Sequence, residues 1–242
     1  MALPLILPLS RCLNPALVGG KAVGLARLLM AGFPVPPGMC ITTEAYRQSL
    51  KRLGLDQEED WKSMIVLPEA ERNTVLSNRQ SLIRSLDISD LASQCITAFL
   101  TIEAASETSF TKRWAIHSSA TNEDASCSSF AGLYRTHLGV ASGQLEAAIK
   151  DLWASVWHER VVRYTIDQRP CQSAPLMAVI IQPMLNPLAA GVAHSVHPVT
   201  GRSFHVVINA IPGLASPLVD GLVTPDQFVV EMWKGQQTPW IR

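Results

Sequence analysis

Residues 114–140 read WAIHSSATNEDASCSSFAGLYRTHLGV. This stretch constrains the fold more than any other in the chain. It opens on three apolar residues, Trp114, Ala115 and Ile116, and turns polar from His117 to Ser129. Ser118, Ser119, Thr121, Ser126, Ser128 and Ser129 supply six hydroxyls, and Glu123 and Asp124 two adjacent carboxylates. Phe130-Ala131-Gly132 closes the run, and apolar residues alternate again from Tyr134 to Val140. The pattern predicts a strand, a long polar loop and a second strand. Hydroxyls, small residues and backbone N–H groups together can wrap a polyphosphate, and carboxylates beside them can hold its magnesium. A solvated serine-rich loop has the same composition.

A second stretch narrows the choice. Val18-Gly19-Gly20-Lys21-Ala22-Val23-Gly24-Leu25 places two glycines and a lysine at the start of an apolar helical pattern. Backbone N–H groups and an ammonium at a helix start suit a phosphate, although the spacing is not that of a Walker loop. GGKAVGLARLLMAGFPVPPGMCITTEAY followed by IHSSATNEDASCSSFAGLYRTHL resembles the N-terminal nucleotide-binding domain of the phosphoenolpyruvate synthase and pyruvate phosphate dikinase family. Rifampicin phosphotransferase looks like a further member. The resemblance continues through WASVWHERVVRY, VIIQPMLNPLAAGVAHSVHPVTG and INAIPGLASPLVDGLVTPDQFVV, leaving out roughly residues 52 to 110.

The bulk properties fit a globular protein. The 242 residues, 48% hydrophobic and 17% charged, are enough for one large domain or two lobes around a substantial core. Lys plus Arg equals Asp plus Glu, at 20 each, so no excess charge points to nucleic acid or an anionic membrane. The apolar opening to Leu9 is far short of the roughly 20 residues that span a bilayer. With two prolines and no basic leader it reads as a first strand, not a signal peptide. Five cysteines, with no C-x-x-C, indicate neither a disulfide framework nor a zinc site, and a reducing cytoplasm fits best.

Taken in order, Ala22, Leu25, Ala26, Leu28 and Leu29 have helical spacing, with Gly32 as the stop and Pro34 beyond it. Residues 35–38 form a stiff turn and 39–41 a short strand. Thr42 or Thr43 can cap a helix to about Lys51, which Gly54 ends. Residues 56–106 read as helical packing: Pro68 starts one helix and Ser89 or Asp90 caps another. A long amphipathic helix runs from about Gln144 to Tyr164, with Leu145, Ile149, Leu152, Val156 and Val161 inside. Residues 178–181 make a buried-type strand that continues through Gln182-Pro183-Met184-Leu185. Strands follow at 191–196, 204–209 and 227–233, with a turn at 198–201 and a short helix or loop at 213–221. His194 and His197 stand three apart on strand-like sequence and face opposite ways, which argues against a metal pair.

The resemblance implies an α/β (α+β) ATP-grasp-like domain of two lobes, residues 1–185 and 186–242, with nucleotide in the cleft between them. It implies ATP and magnesium as cofactors, and phosphoryl transfer to a histidine on a separate domain or subunit. Lys21 and His117 would stand at the phosphates. Ser118, Ser119, Gly132, Thr136, Arg160 and Asn209 match further nucleotide-binding positions. Gln182, Pro183, Met184 and Leu185 match the hinge beside the adenine, and Glu123 and Asp124 are candidates for an indirect metal role. Several positions depart from the family pattern. His117 stands where the pattern has an arginine, Leu133 replaces a glutamine, and Asn209 and Ser216 replace acidic residues. Histidine is mostly neutral near pH 7, so the first exchange weakens a phosphate grip. No Gln-Asp-Ile-Glu-Trp-like segment, phosphocarrier histidine motif or pyruvate-binding barrel occurs in the 242 residues. The expectation is therefore that the chain does not run a complete dikinase reaction alone. A degenerate nucleotide-binding or regulatory module, and one piece of a split enzyme, are the alternatives.

Overall fold

The computed structural model describes residues 3–104, 113–122, 134–168, 174–231 and 240–241. The chain divides into two compact units, Met1–Met184 and Leu185–Arg242. Strands and helices of the first unit are β1 (Ile6–Pro8), α1 (Pro15–Met30), β2 (Met39–Ile41), α2 (Thr43–Arg52), α3 (Gln57–Ile65), α4 (Glu69–Arg84), α5 (Ser89–Ala104), β3 (Arg113–Ala120), β4 (Thr136–Ala141), α6 (Leu145–Ser155), α7 (Glu159–Gln168) and β5 (Met177–Pro183). The second unit has β6 (Ala189–His194), β7 (His205–Pro212), α8 (Ser216–Val219), β8 (Asp226–Glu231) and β9 (Trp240–Ile241). Helices and strands are mixed as an α+β fold requires.

In the first unit the sheet order is β1-β2-β5-β3-β4, and every neighbouring pair is antiparallel. Alternation divides the side chains between two faces. Met39, Ile41, Trp114, Ile116, Val179 and Ile181 enter a main core with residues from α2 to α7. Cys40, Ala178 and Ile180 face the other way and pack on Val18, Ala22, Val23 and Ala26 of α1. Both faces of β5 are covered, and all seven of its residues are buried. This is why residues 177–181 are a continuous apolar run and not an alternating one. Each fully buried Val or Ile there contributes about 1.5–3 kcal/mol.

The 56–106 segment is helical as expected, and Trp61, Met64, Leu76, Ile83 and Phe99 carry it into the main core. Trp61 meets Trp157 edge-on at 5.9 Å, and Phe99 meets Trp114 at 4.7 Å. Trp157 Nε1 donates to the Tyr46 hydroxyl at 3.0 Å, satisfying a buried indole.

Local expectations change where tertiary contacts intervene. The polar loop does not begin at His117, because β3 continues to Ala120 through a seven-residue register with β5. The expected single helix over 144–164 is two, α6 and α7, separated at Val156–His158. Its predicted inner stripe is nevertheless buried throughout. Neither Thr42 nor Thr43 caps α2 with its side chain. Thr42 Oγ1 donates to the Pro4 carbonyl at 2.8 Å and Thr43 Oγ1 to Ala16 at 2.9 Å. At the start of α5 it is Asp87 that accepts from the Ser89 N–H, at 3.1 Å, and not Ser89 or Asp90 that caps. The strand expected to run through Leu185 ends at Pro183.

The second unit is an antiparallel sheet in the order β6-β7-β8-β9. The turn before β7 is held by His197, whose Nδ1 accepts from the Val199 and Thr200 N–H groups at 3.2 and 3.4 Å. No helix among the described residues is long and apolar enough to cross a membrane.

Candidate functional site

Gly19 is the pivot of the site. It has φ 74° and ψ 168°, and it interrupts α1 between Val18 and Gly20. Only glycine adopts that backbone readily. The Ser119 hydroxyl fills the break from β3, donating to the Val18 carbonyl at 2.7 Å and accepting from the Ala22 N–H at 3.1 Å. Those two groups would otherwise bond each other in an unbroken helix, so a side chain is inserted into the helical ladder. A Cβ at Gly19 would lie 2.2 Å from the Ser119 carbonyl oxygen, so strand and helix touch backbone to backbone. The break gives the second part of α1 its own start, at Gly20 and Lys21.

Lys21 projects from that start, and its Nζ donates to the Ser118 carbonyl at 2.9 Å. On β3, His117 shares the α1-facing side with Ser119, and its register partner on β4 is Thr136. His117 Nδ1 and Thr136 Oγ1 are 3.5 Å apart. Burial, and secondarily the Lys21 charge, push the His117 pKa down to about 4. The imidazole is therefore neutral at pH 7, deeper into the neutral range than an ordinary histidine. Leu138 lies two residues beyond Thr136 and is exposed. Sequence reasoning did not single it out, because an apolar residue on a strand reads as core.

Other predicted residues are placed differently. Ser118 points to the opposite face of β3, is wholly buried, and its Oγ has no hydrogen-bond partner among the described residues. Ser119 is also wholly buried and its hydroxyl is used inside α1. The Ser119 hydroxyl, expected at phosphate or ribose, is thus engaged within the protein, and that of Ser118 is buried on the other face. Gln182 faces the α1 side of β5, but its Nε2 donates to the Pro36 carbonyl at 2.8 Å. A Cβ at Gly38 would lie 2.7 Å from the Gln182 Cγ, so this glutamine is packed against the 35–38 turn. Pro183 is buried at the end of β5, and the Met184 N–H donates to the Arg113 carbonyl at 2.9 Å. Arg160 is exposed on α7, whose Val161 and Val162 enter the main core on the sheet face away from α1. Gly132, Glu123, Asp124 and Leu133 lie outside the described residues.

In the second unit, Leu185 is half exposed. Asn209 stands on β7 between the buried Val207 and Ile211 of the same face, and its Oδ1 accepts from Gln227 at 3.0 Å. Ser216 begins the four-residue α8. Among the described residues no group of three or more His, Cys, Asp or Glu is placed to hold a metal.

The first unit thus gathers a glycine break, a lysine at a helix start, a neutral imidazole and a threonine hydroxyl on one sheet face. That assembly has the elements of a phosphate-binding site on an α+β fold. Residues 15–238 match the family described as pyruvate phosphate dikinase, AMP/ATP-binding domain. The chain belongs to this family of nucleotide-binding domains. It is 37% identical to phosphoenolpyruvate synthase of Aeropyrum pernix, over 88% of this chain and 27% of that protein. It is 34% identical to the prodigiosin synthesizing transferase PigC of Serratia marcescens, over 93% of this chain and 23% of that one. It is also 34% identical to rifampicin phosphotransferase of Streptomyces sviceus, over 89% of this chain and 25% of the relative. The chain spans about a quarter of the length of these relatives.

Proposed function

We propose that this chain binds ATP with magnesium as the nucleotide-handling part of a phosphoenolpyruvate synthase-like phosphotransferase. The family match over residues 15–238 carries the reading. The names of the relatives point to different products, phosphoenolpyruvate, prodigiosin and a phosphorylated rifampicin, while each matches about nine-tenths of this chain. What they have in common is then the use of the nucleotide, and the acceptor is chosen elsewhere. The phosphoryl group would pass to a histidine on a separate domain or subunit, and from there to the acceptor.

The reading takes the chain as an ATP-grasp-like domain with Met1–Met184 and Leu185–Arg242 as its two lobes. Lys21, at the helix start beyond the Gly19 break, neutralises phosphate charge. His117 and Thr136 supply uncharged hydrogen bonds, and Ser119 acts by holding the break open. Bound ATP supplies the phosphoryl group. The protein contributes positioning and charge neutralisation, which dominate catalysis of phosphoryl transfer. Glu123 and Asp124 are the carboxylates proposed for an indirect role at the magnesium.

Calorimetric titration of the chain with ATP and magnesium tests this. Wild type is expected to bind, and Lys21→Met to bind roughly tenfold or more weakly, the scale of one charge-assisted contact. Failure of folded wild type to bind ATP refutes the proposal. A second reading, a nucleotide-binding module without turnover, is favoured by the neutral His117 standing where the family pattern has a permanent cation. His117→Arg separates the two. A gain of about tenfold in ATP affinity supports a site that keeps its phosphate geometry. An unchanged affinity in the folded variant favours the module.

A further inference from the structure

Thr136 and His117 meet on the α1 face of the sheet, but the strand that carries Thr136 is an edge strand. Among the described residues β4 has a single sheet neighbour, β3. A bulge between Trp114 and Ile116 also interrupts the register of that pair. An edge strand with a broken ladder needs a second anchor to hold a side chain in place.

The anchor lies on its back face. Asp151, on α6, is the meeting point of three cationic or protonatable side chains, from α4, from β4 and from the residue just before β4. Its Oδ1 accepts from Arg84 of α4, through Nε at 3.3 Å and Nη2 at 3.0 Å. Its Oδ2 accepts from Arg135 Nη1 at 3.3 Å and lies 3.1 Å from His137 Nε2. One oxygen thus holds α4 and the other holds β4. Arg135 and His137 flank Thr136, and alternation sends them to the opposite face from it. The side chain is only 22% exposed. Burial raises its pKa, but the Arg84 hydrogen bond and the charges of Arg135, Arg84 and His137 outweigh this and hold the carboxyl below its ordinary value.

We propose that Asp151 is a positioning residue for the nucleotide site, holding Thr136 against His117 by clamping Arg135 and His137 from behind the sheet. The proposal rests on the nucleotide-site reading given above. Asp151 touches no ligand and acts through the strand.

The test uses the full chain with ATP and magnesium, and Asp60→Asn as the control. Asp60 pairs with Arg79 between α3 and α4 at similar burial, 20% and 23% exposed, and carries no residue of the site. Asp151→Asn is expected to weaken ATP binding about tenfold at a temperature where both variants are folded, and Asp60→Asn to leave it unchanged. His137→Gln removes only one strand-side contact and should weaken binding in the same direction by less. Equal ATP affinity in wild type and Asp151→Asn overturns the proposal, as does an equal loss in Asp60→Asn. Hydrogen exchange is read alongside. Amides of residues 134–137 should exchange faster in Asp151→Asn, while those of β5 stay protected. If wild type itself fails to bind ATP, the site reading fails and exchange alone decides. Faster exchange confined to β4 then supports the clamp, and unchanged or uniformly faster exchange refutes it.

Discussion

Replacing Gly19 by alanine isolates the contact that shapes the site. The backbone there, at φ 74° and ψ 168°, is essentially open only to glycine, and another residue in it costs on the order of 1–3 kcal/mol. The new methyl would also stand 2.2 Å from the Ser119 carbonyl oxygen and 2.5 Å from its Oγ. The carbonyl belongs to a strand paired with β5 at this position, Ser119 opposite Ala178, and cannot retreat alone. Relieving the clash therefore separates α1 from β3 and weakens the two hydrogen bonds of the Ser119 hydroxyl, each contributing about 1 kcal/mol. Together the loss is about 3–5 kcal/mol. For a chain of this size 1 kcal/mol moves the Tm by roughly 2–4 °C, so the midpoint should fall by about 10 °C. Gly24→Ala, five residues along the same helix, is the internal control. A Cβ at Gly24 meets nothing within 4 Å, and alanine there should stabilise by about 0.5–1 kcal/mol. Urea unfolding of the three proteins measures both. A Gly19→Ala cost below about 1 kcal/mol, or a comparable loss in Gly24→Ala, would show that the break is not held as described.

Three further outcomes are open to measurement. Tyr46→Phe leaves the buried Trp157 N–H without its acceptor and should cost about 1–3 kcal/mol in the same unfolding assay, more than an exposed tyrosine would. In an NMR titration the His117 ring should change charge near pH 4, well below the ordinary histidine range, and a midpoint above 6 would mean the side chain is solvated. Because the unfolded state takes up this proton first, His117 contributes stability that is present above the ordinary histidine pKa and lost as pH falls from there towards about 4. For the same reason ATP affinity should not rise between pH 8 and 6 on account of His117.

Much of the fold was legible from periodicity and punctuation. The α1 stop at Gly32, the 39–41 strand, the end of α2 near Gly54 and the buried stripe of α6 and α7 each follow from spacing or from a glycine. These are local signals, and a local rule reads them. The extent of β3 was not legible. His117-Ser118-Ser119 is polar enough to pass for a loop, but seven consecutive pairings with β5 draw it into the sheet. Backbone hydrogen bonding is indifferent to the side chains it carries, so a well-placed partner strand overrides composition. The α6–α7 break was missed for the opposite reason, since the apolar stripe continues across the turn at Val156–His158.

The sequence by itself determined the inventory: a Gly-Gly-Lys start, a hydroxyl-rich stretch between strands, and enough motif order to point to a nucleotide-binding family. Which of those groups faces a ligand was decided only in three dimensions. Ser118 and Ser119 are neighbours of the same type, yet one points into the main core and the other repairs a helix 97 residues away in the chain. Strand alternation fixes that they point apart, and only the packing of α1 on one face says which direction leads to Lys21. The tie between Asp151 and the back of β4 is likewise invisible in the chain, because an aspartate on an amphipathic helix is an ordinary surface residue until a strand and a second helix bring Arg84, Arg135 and His137 to it.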